Sequence, residues 1–408
     1  MKALVIGAGG VGRAIANIAS RRSFITTLVV ADRNLRRAED AVTRIKNPNF
    51  SAAEVNAAEL EDIRDLIRKV QPDVVINAVD PRFVMPIFLA CEIENTNYID
   101  MAMSLSRPHP HYKYSETGVK LGDEQFARDW NWGERNIYAL IGMGVEPGMS
   151  DVFAKYADDH LFSRIDSLTV LDGSNLVVEG YEFAPSFSIW TTIEECLNPP
   201  LVWEDGRGWF TTEPFSELEI FDFPEGIGPV ECVNVEHEEV VLIPMKVKTK
   251  EVRFKYGLGA QFIETLKTIH SLGMDKKEKV KVGEVEISPR DLLASILPDP
   301  STIGNLMHGK TCAGTLVKGL DKSGKPKAVY IYNIVDNEWS MRNYGNQAVV
   351  WQTAINPVIA MELIANGKWK PVGVAGPEWF PAHPFLDLIK EYGTSWHIRE
   401  EDSKGIVA

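Results

Sequence analysis

Short continuous apolar runs alternate with stretches of helical period through roughly the first 145 residues. Residues 3–6 form an apolar strand, and Val11, Ile15 and Ile18 follow at helical spacing. Residues 25–31 are a β-branched run. Leu35, Ala38, Val42 and Ile45 then mark one helical face, and Leu60, Ile63, Ile67 and Val70 the next. Pro72 introduces a buried strand over 73–78, and the spacing predicts a helix over 83–94 and strands over 97–100 and 138–143. Continuous apolar strands joined by helical crossovers predict a parallel sheet covered on both faces. Right-handed crossovers make it doubly wound, an α/β Rossmann arrangement.

After Gly148 the helical period fades, and alternating strands are predicted over 167–171, 219–223, 238–243 and 246–254. Gly, Pro and aromatic residues punctuate them, most densely over 198–210. An antiparallel sheet with hairpins, hence an α+β domain, is the expected result. Helices are expected over 260–272 and 288–297, the second with Ser288 as N-cap and Pro289 in its first turn. A hairpin strand over 329–333 follows the turn at 321–325. The last helix runs over 348–366 and leads into a tail read as irregular, rich in Pro and aromatic residues.

The glycines of the first turn change this picture from architecture to chemistry. Gly7-Ala-Gly9-Gly10-Val11-Gly12 follows a strand, opens a helix and has an acid, Asp32, in register at the end of the second strand. Gly7 makes the tight turn, Gly9 admits a pyrophosphate to the backbone, and Gly12 lets helix pack on strand. Unpaired N–H groups at the helix start serve the phosphates. The expected dinucleotide contacts are therefore Gly7, Gly9, Gly10, Val11, Gly12, Asp32 and Arg33. Asn77, Ala78 and Asp80, at the carboxyl end of the fourth strand, are expected beside the nicotinamide half; Asp80 also suits a helix cap ahead of Pro81.

Asp100 and Glu146 lie at the ends of neighbouring predicted strands and are candidates to line the substrate side. His237 sits among acids in Asn234-Val-Glu-His-Glu238, where an imidazole keeps its proton more readily. These three are the catalytic candidates, each with a structural alternative as a cap, a surface ion pair or a hairpin residue. Ser186, Ser188, Thr191 and Thr192 interrupt an aromatic stretch and are candidates for a cleft wall. His109 and His111 are spaced like metal ligands but have no evident third partner, so no metal site is expected. Neither a His-Glu-x-x-His, a Gly-x-Ser-x-Gly elbow nor a Cys–His cluster occurs, which argues against hydrolase chemistry.

Composition narrows the setting. The 408 residues suit two or three domains, and a formal charge of −14 without a basic patch argues against nucleic-acid and membrane partners. Four dispersed cysteines fit reduced thiols. No apolar run is read as bilayer-spanning and the first residues are already a strand, so no signal peptide is expected and a cytoplasmic protein is.

The chain resembles the saccharopine dehydrogenase-like oxidoreductases, which include lysine 6-dehydrogenase and carboxynorspermidine dehydrogenase branches. The likeness rests on Ile6-Gly-Ala-Gly-Gly-Val-Gly12, Val75-Ile-Asn-Ala78, Tyr98-Ile-Asp100, Gly144-Val-Glu-Pro-Gly148, Phe187-Ser188, Pro200-Leu-Val-Trp203 and Tyr256-Gly-Leu-Gly259 with Leu272-Gly-Met274. Ile296-Leu-Pro-Asp-Pro300, Thr311-Cys-Ala-Gly-Thr315 and Trp396-His-Ile398 look most like the carboxynorspermidine branch. The resemblance implies a Rossmann domain (1–147), an inserted substrate domain with a mixed sheet (148–345), and a last helix and tail (346–408) returning to the first domain. It implies hydride transfer between a nicotinamide and the carbon of a C–N bond in an amino-acid-type substrate or polyamine precursor. Arg82, Arg107, Arg253 and Lys310 become candidates for substrate carboxylates. NADP-dependent relatives carry a small residue before Arg where this chain has Asp32-Arg33, so NAD is the expected cofactor and NADP the alternative. Two readings remain beside it: oxidative deamination releasing ammonia, and a non-catalytic cofactor-binding sensor. A homodimer is the expected assembly.

Overall fold

The apolar runs of the first half become the strands of one parallel sheet, in a computed structural model that describes residues 1–407. In chain order they are β1 (Lys2–Ile6), α1 (Gly10–Ala19), β2 (Thr27–Asp32), α2 (Leu35–Thr43), β3 (Phe50–Glu54), α3 (Leu60–Val70), β4 (Val74–Asn77), α4 (Val84–Ile93), β5 (Asn97–Asp100) and β6 (Tyr138–Leu140). The sheet order is β3-β2-β1-β4-β5-β6, extended beyond β6 by a strand from the far end of the chain, Gly373–Ala375. Every pairing is parallel. This is the doubly wound arrangement, whose strand order reverses between β1 and β4 and opens a crevice at their carboxyl ends.

The second sheet has nine strands and is mixed rather than antiparallel. Its centre is β7 (Phe162–Ser174), which pairs parallel with Glu251–Gly257 and antiparallel with Lys310–Asp321. The stretch read as a strand over 238–243 is instead the helix Glu239–Lys246. Val240, Val241, Leu242 and Ile243 are all buried, and a short run buried on every side has no period to separate helix from strand. Pro244 sits inside this helix and offers no N–H. The carbonyl of Val240, one turn earlier, accepts Trp209 Nε1–H at 2.8 Å instead. The expected strand over 246–254 begins later, at Glu251.

The C-terminal segment is shared between the sheets. Helix Ala348–Ala365 packs on α1, and Arg22 bonds Glu362 at 2.7 Å across that contact. By length and composition this helix is apolar enough to cross a bilayer, contrary to the sequence reading, but it is a core helix, 78% buried. The tail read as irregular forms the strand Gly373–Ala375, the helix Ala382–Glu391 and the strand Trp396–Glu400, which pairs with Pro326–Asp336 in the mixed sheet.

Candidate active site

The glycine loop is built as its sequence requires. Gly7 has φ +111°, and a Cβ there would strike the Ala78 carbonyl; a Cβ on Gly12 would strike the Gly7 carbonyl. At Gly9 a Cβ would meet nothing within 4 Å, which leaves the helix start open to a phosphate. Asp32 closes β2 with both oxygens held: Oδ2 accepts Ala8 N–H and Oδ1 accepts Asn34 N–H, each at 2.8 Å. The acid is thereby locked beside the loop, where a ribose hydroxyl needs an acceptor. The donor set and the open cradle fit a nicotinamide dinucleotide.

Beside this loop lies a cavity of about 300 Å³. Gly10, Val11, Asn77, Ala78 and Asp80 form its dinucleotide side, at the carboxyl ends of β1 and β4. Asp80 is also the cap expected of it, accepting Arg82 N–H at 3.0 Å. Asn77 is held by donating to the Tyr98 hydroxyl at 2.9 Å. Asp100, Glu146 and His237 all line the same cavity, as do Ser188, Thr191 and Thr192. Ser186 is not among its walls; its carbonyl accepts from Gln347.

The far wall comes from the mixed sheet and its helices, and sequence reasoning did not single out its acids. Asp172 projects from β7, Glu195 from helix Ile189–Leu197, and Glu238 precedes helix Glu239–Lys246; Tyr256 lies among them. Only one signal was available: paired acids, Glu194-Glu195 and Glu238-Glu239, inside otherwise apolar runs. Counting Asp80 and Asp299, seven carboxylate side chains line the cavity, and among the described residues no Lys or Arg does.

Such crowding moves protonation equilibria. Burial drives Asp100 up to about 7, although Gly142 N–H and Gln125 Nε2 donate to it at 2.7 and 2.8 Å. Burial, with Asp172 beside it, holds the Glu146 carboxyl well above the carboxylate range. Burial also takes Asp172 to about 7 and Glu195 to about 8. His237 goes the other way from most buried imidazoles. Burial pulls it down, but the adjacent charge of Glu239, bonded to Nδ1 at 2.5 Å, and that of Glu238 at 3.4 Å lift it to about 10. The ring is stacked on Phe254 at 3.8 Å, and Glu239 accepts in turn from Ser150 Oγ at 2.9 Å. At neutral pH the site therefore holds an imidazolium, with Glu146 and Glu195 protonated and Asp100 and Asp172 near half-protonation.

The cations expected to hold substrate carboxylates lie outside this cavity. Arg107 pairs with Glu124, Arg253 with Glu204 and Glu217, and Lys310 faces Glu225. Arg82 is nearest, bonded to Asp80 at 2.8 Å and lying over the Trp190 ring. His109 and His111 sit on an exposed loop, where His109 Nδ1 accepts Tyr112 N–H.

Residues 3–140 match the family model described as saccharopine dehydrogenase NADP binding domain, and residues 144–394 match that of the saccharopine dehydrogenase C-terminal domain. The chain belongs to the saccharopine dehydrogenase family. It is 30% identical to a carboxynorspermidine synthase of Vibrio alginolyticus, over 98% of this chain and 97% of that one. A carboxyaminopropylagmatine dehydrogenase of Synechocystis is 28% identical over 97% of each. Among solved structures, the apo saccharopine dehydrogenase (L-Glu forming) of Saccharomyces cerevisiae has the same fold, with a TM-score of 0.71 at 14% identity, covering 98% of this chain and all of that one. This member is a nicotinamide-dependent oxidoreductase acting on an amine-type substrate, so the sensor reading falls away.

Proposed function

We propose that the enzyme reductively joins a diamine or longer polyamine precursor to an amino-acid carbonyl compound, yielding a secondary amine. The observation that carries this is the cavity wall: seven carboxylate side chains and no Lys or Arg beside the glycine loop. Carboxyls held near or above neutrality ionise when a cation joins them, so this wall favours a substrate with ammonium charge at more than one point and disfavours one rich in carboxylates. Two relatives, named carboxynorspermidine synthase and carboxyaminopropylagmatine dehydrogenase, support this reading.

The amine attacks the carbonyl, water leaves, and the resulting iminium carbon accepts a hydride. When bound, the nicotinamide supplies that hydride at C4. The protein positions the iminium and excludes water. Glu146 and Asp172, whose carboxyls raise and lower each other's protonation as neighbours in the wall, take the proton that the attacking amine loses and return one to the departing oxygen. His237 keeps its charge and balances Glu238 and Glu239. Asp100 positions the wall by tying β5 to Gly142 and Gln125. Substrate carboxylate is left to the hydroxyls of Ser188, Thr191 and Thr192, with Arg82 at the rim. The acidic composition and four buried thiols fit a cytoplasmic enzyme, and a symmetric dimer is the assembly proposed for it.

Oxidation of NADH at its absorption band should require both an α,ω-diamine and a short amino-acid semialdehyde. A monoamine of equal length should be at least about tenfold poorer in kcat/KM, as expected when one charge contact of ~1.4 kcal/mol is lost. Equal rates with the monoamine, or ammonia among the products, would sink this reading.

NAD is the preferred cofactor, because the fixed Asp32 carboxylate accepts from a ribose 2′-hydroxyl and repels a 2′-phosphate. Asp32→Ala should weaken NADH and strengthen NADPH, each by about tenfold, the loss or relief of one charged contact. Titrations of both cofactors decide it: NADPH binding tighter in the unmodified enzyme, with no gain in Asp32→Ala, would be the contrary result.

A further inference from the structure

A second cavity, of about 480 Å³, lies behind the glycine loop between α1 and α2. One stripe of α1 and its end, carrying Arg13 and Arg21, forms one wall; Arg44 at the end of α2 forms another, and the segment 344–347 closes it. Three guanidiniums line it and, among the described residues, no carboxylate does. In a chain of net charge −14 that is a local reversal of sign.

The arginines are also unspent. Arg22, Arg64 and Arg68, close by in sequence or of the same type on α3, each hold carboxylates. Arg13 and Arg44 have no ion-pair partner among the described residues, and Arg13 Nε is buried without a hydrogen-bond partner. Arg21 bonds only the Asn343 carbonyl and lies over the Tyr344 ring at 4.0 Å. Burial, then the like charge of Arg44, depresses the Arg13 guanidinium, with Asp299 only partly offsetting it. A half-buried guanidinium short of partners, as at Arg13, is costly until an anion joins it, and each planar fork can bind two oxygens of one oxyanion.

We propose that this groove binds a multiply charged oxyanion, of the class of phosphorylated small molecules, at a site separate from the dinucleotide. Neither Asp32, Arg33 nor Asn34, which flank the ribose position, lines it. Gly10, Ser301 and Val350 line both cavities, so an occupant would sit back to back with the cofactor and bear on its affinity. By linkage the dinucleotide bears on the oxyanion to the same degree.

Calorimetric titration of the full-length enzyme with inorganic pyrophosphate at low salt tests this. One saturable site is expected, retained when NADH or NADPH is already bound. Arg13→Gln and Arg44→Gln should each weaken it by about tenfold (~1.4 kcal/mol). Arg36→Gln, on α2 but outside the groove, carries the same change in net charge and should leave it unaltered. Arg44 is exposed, so its variant tests the site without threatening the fold. No saturable binding, parent-like affinity in the Arg13→Gln and Arg44→Gln variants, or displacement by saturating NADH or NADPH would each overturn the proposal.

Discussion

Gly9→Ala should leave the fold intact and cripple cofactor binding. Gly9 has φ −70° and ψ −164°, extended backbone that any residue adopts, and a methyl group there would touch no protein atom within 4 Å. Folding stability should therefore stay within about 0.5 kcal/mol of the parent. The space the methyl fills is the space through which a pyrophosphate reaches the helix N–H groups, so NADH should bind roughly tenfold to hundredfold more weakly (about 1.4–2.8 kcal/mol). Gly12→Ala is the contrast. Its methyl would press on the Gly7 carbonyl, forcing helix from strand, and should cost about 1–3 kcal/mol of stability as well as the cofactor. Thermal melts and NADH fluorescence titrations separate the two. If Gly9→Ala bound NADH as the parent does, the open cradle would not be where the pyrophosphate sits.

The difference between these glycines explains what a linear reading reaches. In the glycine loop, β1 to β6 and α1 to α4 the signal lies within each element. Each strand is a continuous apolar run and each helix is marked over its own length, so they are visible although the strands pair across long separations. The active-site wall is assembled otherwise. Asp172, Glu195, Glu238 and Tyr256 come from four elements brought together only by the mixed sheet, above all by the parallel pairing of β7 with Glu251–Gly257. Nothing in the spacing of those residues announces that pairing. Asp100 is legible because it ends β5, Glu146 because it stands in the loop beyond β6, whose expected extent of 138–143 stops at Leu140, and His237 because it stands among acids. Their convergence on one cavity is not. The helix Glu239–Lys246 differs from the expected strand for a related reason: burial on all sides erases the alternation that distinguishes the two periods, and the Val240 carbonyl that Pro244 leaves free is satisfied by Trp209, far away in sequence.

The apo enzyme should lose stability as pH rises from about 5.5 to 8.5, and a diamine should give it back. Asp100, Asp172 and Glu236 titrate at about 7 in the fold, and Glu195 and Glu378 at about 8. Unfolded, such groups titrate near ~4. The folded chain thus binds more protons than the unfolded one, and each group withdraws stability as pH climbs from ~4 through its folded value. His237 acts in the same sense. Raised from ~6.5 to about 10, its contribution is full below ~6.5 and is lost as pH rises through about 10. The carboxylates with depressed values, such as Glu92, Glu94 and Glu194, lose their contribution only below ~4, outside this window. No opposing group of comparable burial acts within it, so the melting temperature should fall by roughly 5 °C or more across the range. A dication in the cavity supplies the countercharge the wall lacks, lowers the carboxyl values and expels protons. Its stabilising effect should therefore be larger at pH ~8 than at ~6, and calorimetry in buffers of different ionisation enthalpy should register net proton release. A flat or rising melting curve would mean that the cavity carboxyls are not held above their ordinary range. A normal curve with proton release by monoamine and diamine alike would place only one ammonium in the cavity, and the acidic wall would then owe its seven carboxyl groups to something other than the second charge of the substrate.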